Sequence, residues 1–136
     1  MSKAIGIDFG LKRSGISISD TSQIIATPLI TIDSNQIYNY LEQLFIDENI
    51  NVIIIGSSVN LDGTPTDSSN IIIKFTKRLR TLYPLKKICN VDERYTSKIA
   101  SRAIIDMGVK KKNRRIKSLI DKISATIILQ DYLSYK

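Results

Sequence analysis

The sequence contains no histidine and no tryptophan, and its only cysteine is Cys89. Without an imidazole, Ser-His-Asp and Cys-His catalysis, HExxH metalloprotease sites and histidine-ligated zinc are all excluded. One thiol cannot close an intrachain disulfide or build a four-cysteine zinc site, which fits a reducing compartment and reads Cys89 as a core residue. The lack of tryptophan and an aromatic content of 7% argue against a base-stacking platform of the single-strand-binding type. Apolar runs are short: the first, Ala4 to Ile7, stops at Asp8, and none approaches the roughly 18 residues of a membrane span. A cytoplasmic protein with no membrane partner is expected.

What is present is an ordinary globular composition, 43% hydrophobic and 24% charged, in 136 residues, enough for one domain over residues 1–136 and too few for two. The net charge of +7 is unevenly spread. Met1 to Ile73 holds 3 basic and 8 acidic residues, whereas Lys74 to Lys136 holds 17 and 5. Folded into one domain, that asymmetry predicts a positive face suited to a polyanion such as nucleic acid or an acidic membrane surface, unless the charge serves only solubility.

Lys3 to Asp8 reads as a strand ending in a turn at Phe9-Gly10, and Ser14 to Ser19 as its hairpin partner. Gln23 to Ile32 is a third β-like run. Asp33-Ser34-Asn35 offers N-cap residues to a helix through about Glu48 with Ile37, Tyr40, Leu41 and Leu44 on one face. Val52 to Ile55 is a continuous β-branched run ended by Gly56, the pattern of a parallel strand buried on both faces. A Ser/Asn/Gly/Pro-rich loop from Ser57 to about Thr66 precedes a helix carrying Ile72, Phe75, Thr76 and Leu79, which Tyr83-Pro84 stops. Lys86 to Val91 forms a last strand delivering Asp92 and Glu93. Ile99 to Met107 traces a helix closed by Gly108, and a final helix runs from about Ser118 to Leu133. The order βββ-α-β-α-β-α-α implies an α/β fold: a mixed five-stranded sheet, three antiparallel strands then parallel α-β crossovers, flanked by helices.

Asp8 and Glu93 end strands that should converge on the sheet edge where α/β folds place their sites. Asp121 has two readings: Ser118 to Asp121 fits an S-x-x-D capping box, while Asp121, Ser124, Ala125, Ile128 and Tyr132 share a helical stripe that can face the sheet. Gly10 and Gly15 bracket a turn where backbone can approach a phosphate, a pattern that is also common in plain hairpins. Three converging carboxylates without histidine suit Mg²⁺ or Mn²⁺, hard ions that take oxygen ligands and recruit substrate phosphates, and a pair of them supports phosphodiester hydrolysis. Lys110, Lys111, Lys112, Arg114, Arg115 and Lys117 form a run without an acid, either a solvated loop or a grip on a nucleic-acid backbone.

These segments together resemble the YqgF family of RNase H-like proteins, associated with pre-16S rRNA processing and with Holliday junction resolution. Asp8-Phe9-Gly10 through Lys12-Arg13-Ser14-Gly15 resembles its D-x-G-x-K-R-x-G opening, and Pro28-Leu29 its third strand. Asn60-Leu61-Asp62-Gly63 resembles its N-x-D-G loop, Asp92-Glu93-Arg94-Tyr95-Thr96 its D-E-R-x-T motif, and Ile120-Asp121-Lys122 with Ile128 to Leu133 its last helix. The chain departs from the pattern at Gly56-Ser57-Ser58, where Gly-Leu-Pro is usual, and at Ser97, where a second Thr is usual. The resemblance implies an RNase H-like fold and a metal-dependent nuclease with Asp8, Glu93 and Asp121 as catalytic and metal-holding acids. Lys12, Arg13, Arg94, Thr96 and the Lys110 to Lys117 run would contact nucleic acid, although Arg94 and Thr96 also suit a surface ion pair and a helix N-cap. Its substrate would be structured RNA at the 5′ end of the small-subunit rRNA precursor. The alternatives are a resolvase of branched DNA, which needs a homodimer where the RNA nuclease can be a monomer, and a non-catalytic nucleic-acid-binding factor.

Overall fold

The computed structural model describes residues 2–57, 69–92 and 115–135. Five strands, β1 (Lys3–Phe9), β2 (Arg13–Ser19), β3 (Ala26–Asp33), β4 (Ile50–Ser57) and β5 (Lys87–Asp92), form one sheet in the order β3-β2-β1-β4-β5. The first three pair antiparallel, while β4 runs parallel to both β1 and β5. Helices α1 (Ile37–Asp47), α2 (Ser69–Leu82) and α3 (Arg115–Tyr135) complete the described elements. The helix expected over 99–107, the loop over 58–66 and the residues Glu93, Arg94, Thr96, Lys110, Lys111, Lys112 and Arg114 lie outside the described residues.

Strand alternation divides the core in two. Ile5, Ile7, Ile16, Ile53 and Ile55 face α1 and α2, where Ile37, Leu41, Phe75 and Leu79 close over them. Ala4, Val52 and Ile54 face α3, which contributes Ile128, Leu129 and Leu133. The β-branched run of β4 is buried on both sides, as its sequence requires: Ile53, Ile54 and Ile55 are all fully buried. Cys89 is half-buried and packs at the margin of the α3-side cluster instead of inside it.

Three local expectations are corrected. Asp33 does not cap α1: its backbone is extended, its side chain makes no cap bond, and a 3₁₀ turn over Ser34–Gln36 intervenes before the helix starts at Ile37. Ser34 is used elsewhere, donating to the Gly10 carbonyl at 2.6 Å and sharing a 2.8 Å bond with the Ser14 hydroxyl. The third strand begins at Ala26, not Gln23, because residues 20–25 are a turn: Gln23 has φ of 55°, and Asp20 Oδ1 accepts from the N–H groups of Ile24 and Ile25. Those two donors, Ile25 first, hold the Asp20 carboxyl below the usual carboxylate range. Finally, α3 already runs from Arg115, so Ser118 lies within the helix and the S-x-x-D capping box does not form. Arg115 and Lys117 accordingly belong to the first turn of α3, not to a loop.

Candidate functional site

The site is built by close approach of α3 to the first hairpin. Gly6 and Gly15 lie on the α3 side of β1 and β2, and neither has room for a side chain. A Cβ on Gly6 would stand 2.7 Å from the Ala125 carbonyl oxygen and 2.8 Å from Leu129 Cβ. One on Gly15 would overlap the Asp121 carbonyl. Gly15 therefore does not bracket a phosphate-binding turn, as its spacing from Gly10 suggested. It sits inside β2, where its missing side chain lets the helix backbone rest on the sheet.

Polar contacts fix the helix in register along this line. Arg13 Nε pairs with Asp121 Oδ2 at 3.1 Å, 108 positions apart in sequence. One turn on, the Ser17 hydroxyl donates to the Ala125 carbonyl at 2.7 Å. Gln130 then accepts from Ala26 N–H at 2.9 Å and donates to the Ile24 carbonyl at 3.0 Å. Asp121, in the second turn of α3, is thus turned toward the sheet, which decides between its two sequence readings.

Asp8 reaches the same place from β1. Ala4 packs in the α3-side cluster and Gly6 touches α3, so alternation carries Asp8 to that side as well. Its register partner across the hairpin is Gly15, the residue on which the Asp121 backbone rests. The two carboxylates and Arg13 thereby share one end of the sheet, at the C-terminal ends of the parallel strands β1, β4 and β5. Lys12 is exposed in the turn at that end, a turn tied down by its own carbonyl accepting from Ser34 N–H at 2.9 Å. Ser124, one turn beyond Asp121, is buried, and its hydroxyl has no partner among the described residues.

Asp8 and Asp121 offer carboxylate oxygens, the donors a hard divalent cation takes, although among the described residues no group of three potential ligands forms. The sequence showed the acids but not what brings them together. Arg13 was assigned to phosphate alone, and its partnership with Asp121 has no signal in local sequence.

Among the described residues no helix is long and apolar enough to cross a membrane. The fold resembles RuvC of Thermus thermophilus bound to a Holliday junction substrate, with TM-score 0.56 and 10% identity over 98% of this chain and 94% of that one. It also resembles the Fowlpox virus resolvase bound to Holliday junction DNA, with TM-score 0.53 and 13% identity over 97% of each chain. These likenesses bear out the RNase H-like fold that the family resemblance implies, on the mixed five-stranded sheet expected from the element order. In sequence the chain is 42% identical to a protein of Flavobacterium johnsoniae and 45% identical to one of Flavobacterium psychrophilum, in both cases over 100% of this chain and 99% of the relative. A Bacteroides thetaiotaomicron relative is 40% identical over the same shares, and all three carry the name "Putative pre-16S rRNA nuclease". Residues 2–135 match the family described as RuvX: Holliday junction resolvase, and the motif-based resemblance drawn from the sequence is confirmed: the chain belongs to the RuvX family of resolvase-like nucleases.

Proposed function

We propose that the protein is a metal-dependent nuclease, a single domain over residues 1–136, that hydrolyses phosphodiester bonds at the 5′ end of pre-16S rRNA in the cytoplasm. The observation that carries this reading is the convergence of Asp8 and Asp121 at the C-terminal edge of the sheet, enforced by Gly15. Glu93 is the third acid of the set. It follows β5 directly in sequence, and Cys89 and Val91 of that strand pack on the α3 side. Asp8, Glu93 and Asp121 would hold Mg²⁺ or Mn²⁺, which when bound would supply Lewis-acid activation of water and charge neutralisation for phosphodiester hydrolysis.

The chain's own residues do the positioning. Arg13 orients the Asp121 carboxylate through its Nε contact and keeps its remaining guanidinium donors for substrate phosphate. Lys12, at the exposed turn beside Asp8, adds a second cation for the phosphate backbone. Arg94, Thr96 and the basic segment of Lys110, Lys111, Lys112, Arg114, Arg115 and Lys117 extend that contact, giving binding that weakens as salt rises. The names borne by the relatives favour rRNA, whereas the family description favours four-way DNA junctions. Junction resolution requires two active sites at matched spacing, hence a homodimer, while RNA trimming can proceed in a monomer.

The test is cleavage of end-labelled RNA carrying the 5′ precursor extension, beside a four-way DNA junction, with Mg²⁺ or Mn²⁺. Metal-dependent trimming of the RNA is expected, falling more than about 100-fold in Asp8→Asn and Asp121→Asn. Symmetric junction cuts would transfer the assignment to a resolvase. Equal binding of both substrates by wild type and Asp8→Asn, with neither cut, would overturn catalysis.

A further inference from the structure

The opposite side of the sheet carries a feature that the catalytic reading does not use. A wide-mouthed groove of about 710 Å³ runs between α1 and α2. Its floor is aromatic and comes from three elements: the partly exposed rings of Phe9 of β1 and Tyr38 of α1 rest against Phe75 of α2, itself buried in the core, at 4.2 Å and 5.7 Å between centroids. Its rim is cationic. Lys74, Lys77 and Arg78 line it from α2, all exposed, and no acid lies among the described residues that line it. Arg78 is held in place over the Tyr38 ring at 4.9 Å.

Two other cations of this region are held by backbone carbonyls, which sets Lys74 and Lys77 apart, while Arg78 rests on the Tyr38 ring. Arg80 donates to the Ile88 carbonyl, and Lys86 donates to the Ile50 carbonyl while lying over Phe45. The groove also begins at the catalytic edge. Phe9 follows Asp8 in β1 and points to the opposite side, so a strand crossing the end of β1 passes from the acids onto the aromatic floor.

We propose that this groove binds a single-stranded segment of the nucleic acid whose phosphodiester is cut at Asp8 and Asp121. The proposal rests on the nuclease reading for the identity of its ligand. A single strand presents uncovered bases to an apolar floor and phosphates to a basic rim, whereas the outer surface of a duplex presents chiefly phosphate. Composition alone argued against stacking because it counts aromatics without placing them, and the fold gathers three into one groove.

The test compares wild type with Lys74→Ala/Lys77→Ala/Arg78→Ala by fluorescence anisotropy, using a labelled 16-nucleotide single-stranded RNA and an RNA hairpin duplex over a salt series. A second variant, Lys77→Glu, carries the same test through one exposed position, and thermal melting checks the fold of both. With three phosphate contacts removed, the triple variant should bind the single strand at least about tenfold more weakly, and its salt slope should drop by about 2. Duplex affinity should change less than about twofold. An unchanged single-strand affinity and slope would overturn the groove, and an equal loss on the duplex would overturn its assignment to single strands. Asp8→Asn separates the two readings, since it should bind the single strand as wild type does while failing to cut. If wild type cuts nothing and the triple variant still loses single-strand binding, the nuclease reading fails and the groove stands.

Discussion

The two sides of the sheet are packed by different rules. Toward α1 and α2 the strands present isoleucines, and large side chains fill the space beneath Phe75 and Leu79. Toward α3 the first hairpin presents Gly6, Gly15, Ser17 and Ser19, and the helix comes down until backbone meets backbone. The first side stabilises by area: a fully buried isoleucine contributes about 1.5–3 kcal/mol. The second gives up that area for proximity, and proximity brings Asp121 beside the strand that carries Asp8. The acids are thus placed on the side packed by close approach, where Ile54, Ile128 and Leu129 still bury a smaller core.

Mutations on each side should separate these contributions. Leu79→Ala, which empties a fully buried position on the thick side, should cost about 2–5 kcal/mol in denaturant unfolding while leaving activity per folded molecule intact. A loss of activity beyond the unfolded fraction would blur the division. Gly15→Ala should cost less, about 1–3 kcal/mol, yet abolish most cleavage, because the added methyl displaces the Asp121 backbone. Wild-type activity in that variant would show that the close approach is dispensable. Ser17→Ala removes one bond to the Ala125 carbonyl and should lower stability by about 1 kcal/mol with a modest effect on rate.

The smallest effect lies at Asp20, in the turn between β2 and β3. Its folded pKa is depressed by hydrogen bonds from Ile25 and Ile24, so its contribution is complete above the ordinary carboxylate range. That contribution fades as pH falls through the lowered value. Asp20→Asn should therefore melt slightly below wild type at neutral pH, with the difference narrowing in acid. A constant difference across the titration would mean that the turn depends on shape and not on charge.

Much of the thick side was legible in the sequence, because its signals are local. The β-branched run of β4, the spacing of Ile37, Leu41 and Leu44, and the stop at Tyr83-Pro84 each express a preference within a few residues. The thin side was legible only in its acids. Gly15 looked like a turn glycine because its true constraint is the Asp121 carbonyl, contributed by a helix from the far end of the chain. The pairing of Arg13 with Asp121 is hidden from local sequence for the same reason. Asp121 was ambiguous until the helix start at Arg115 removed the capping role from Ser118.

The contact between the first hairpin and the last helix also sets a timetable. β1 and β2 emerge first during synthesis and α3 last, and the Arg13 to Asp121 pairing spans 108 positions. Contacts of such sequence separation form late and slowly. A nascent chain can assemble its isoleucine core on the α1 and α2 side while Asp121 is still unmade, so Asp8 and Asp121 cannot meet until α3 has been made. For an enzyme proposed to cut ribosomal RNA, that order keeps the blade apart while the first hairpin is made without its partner helix.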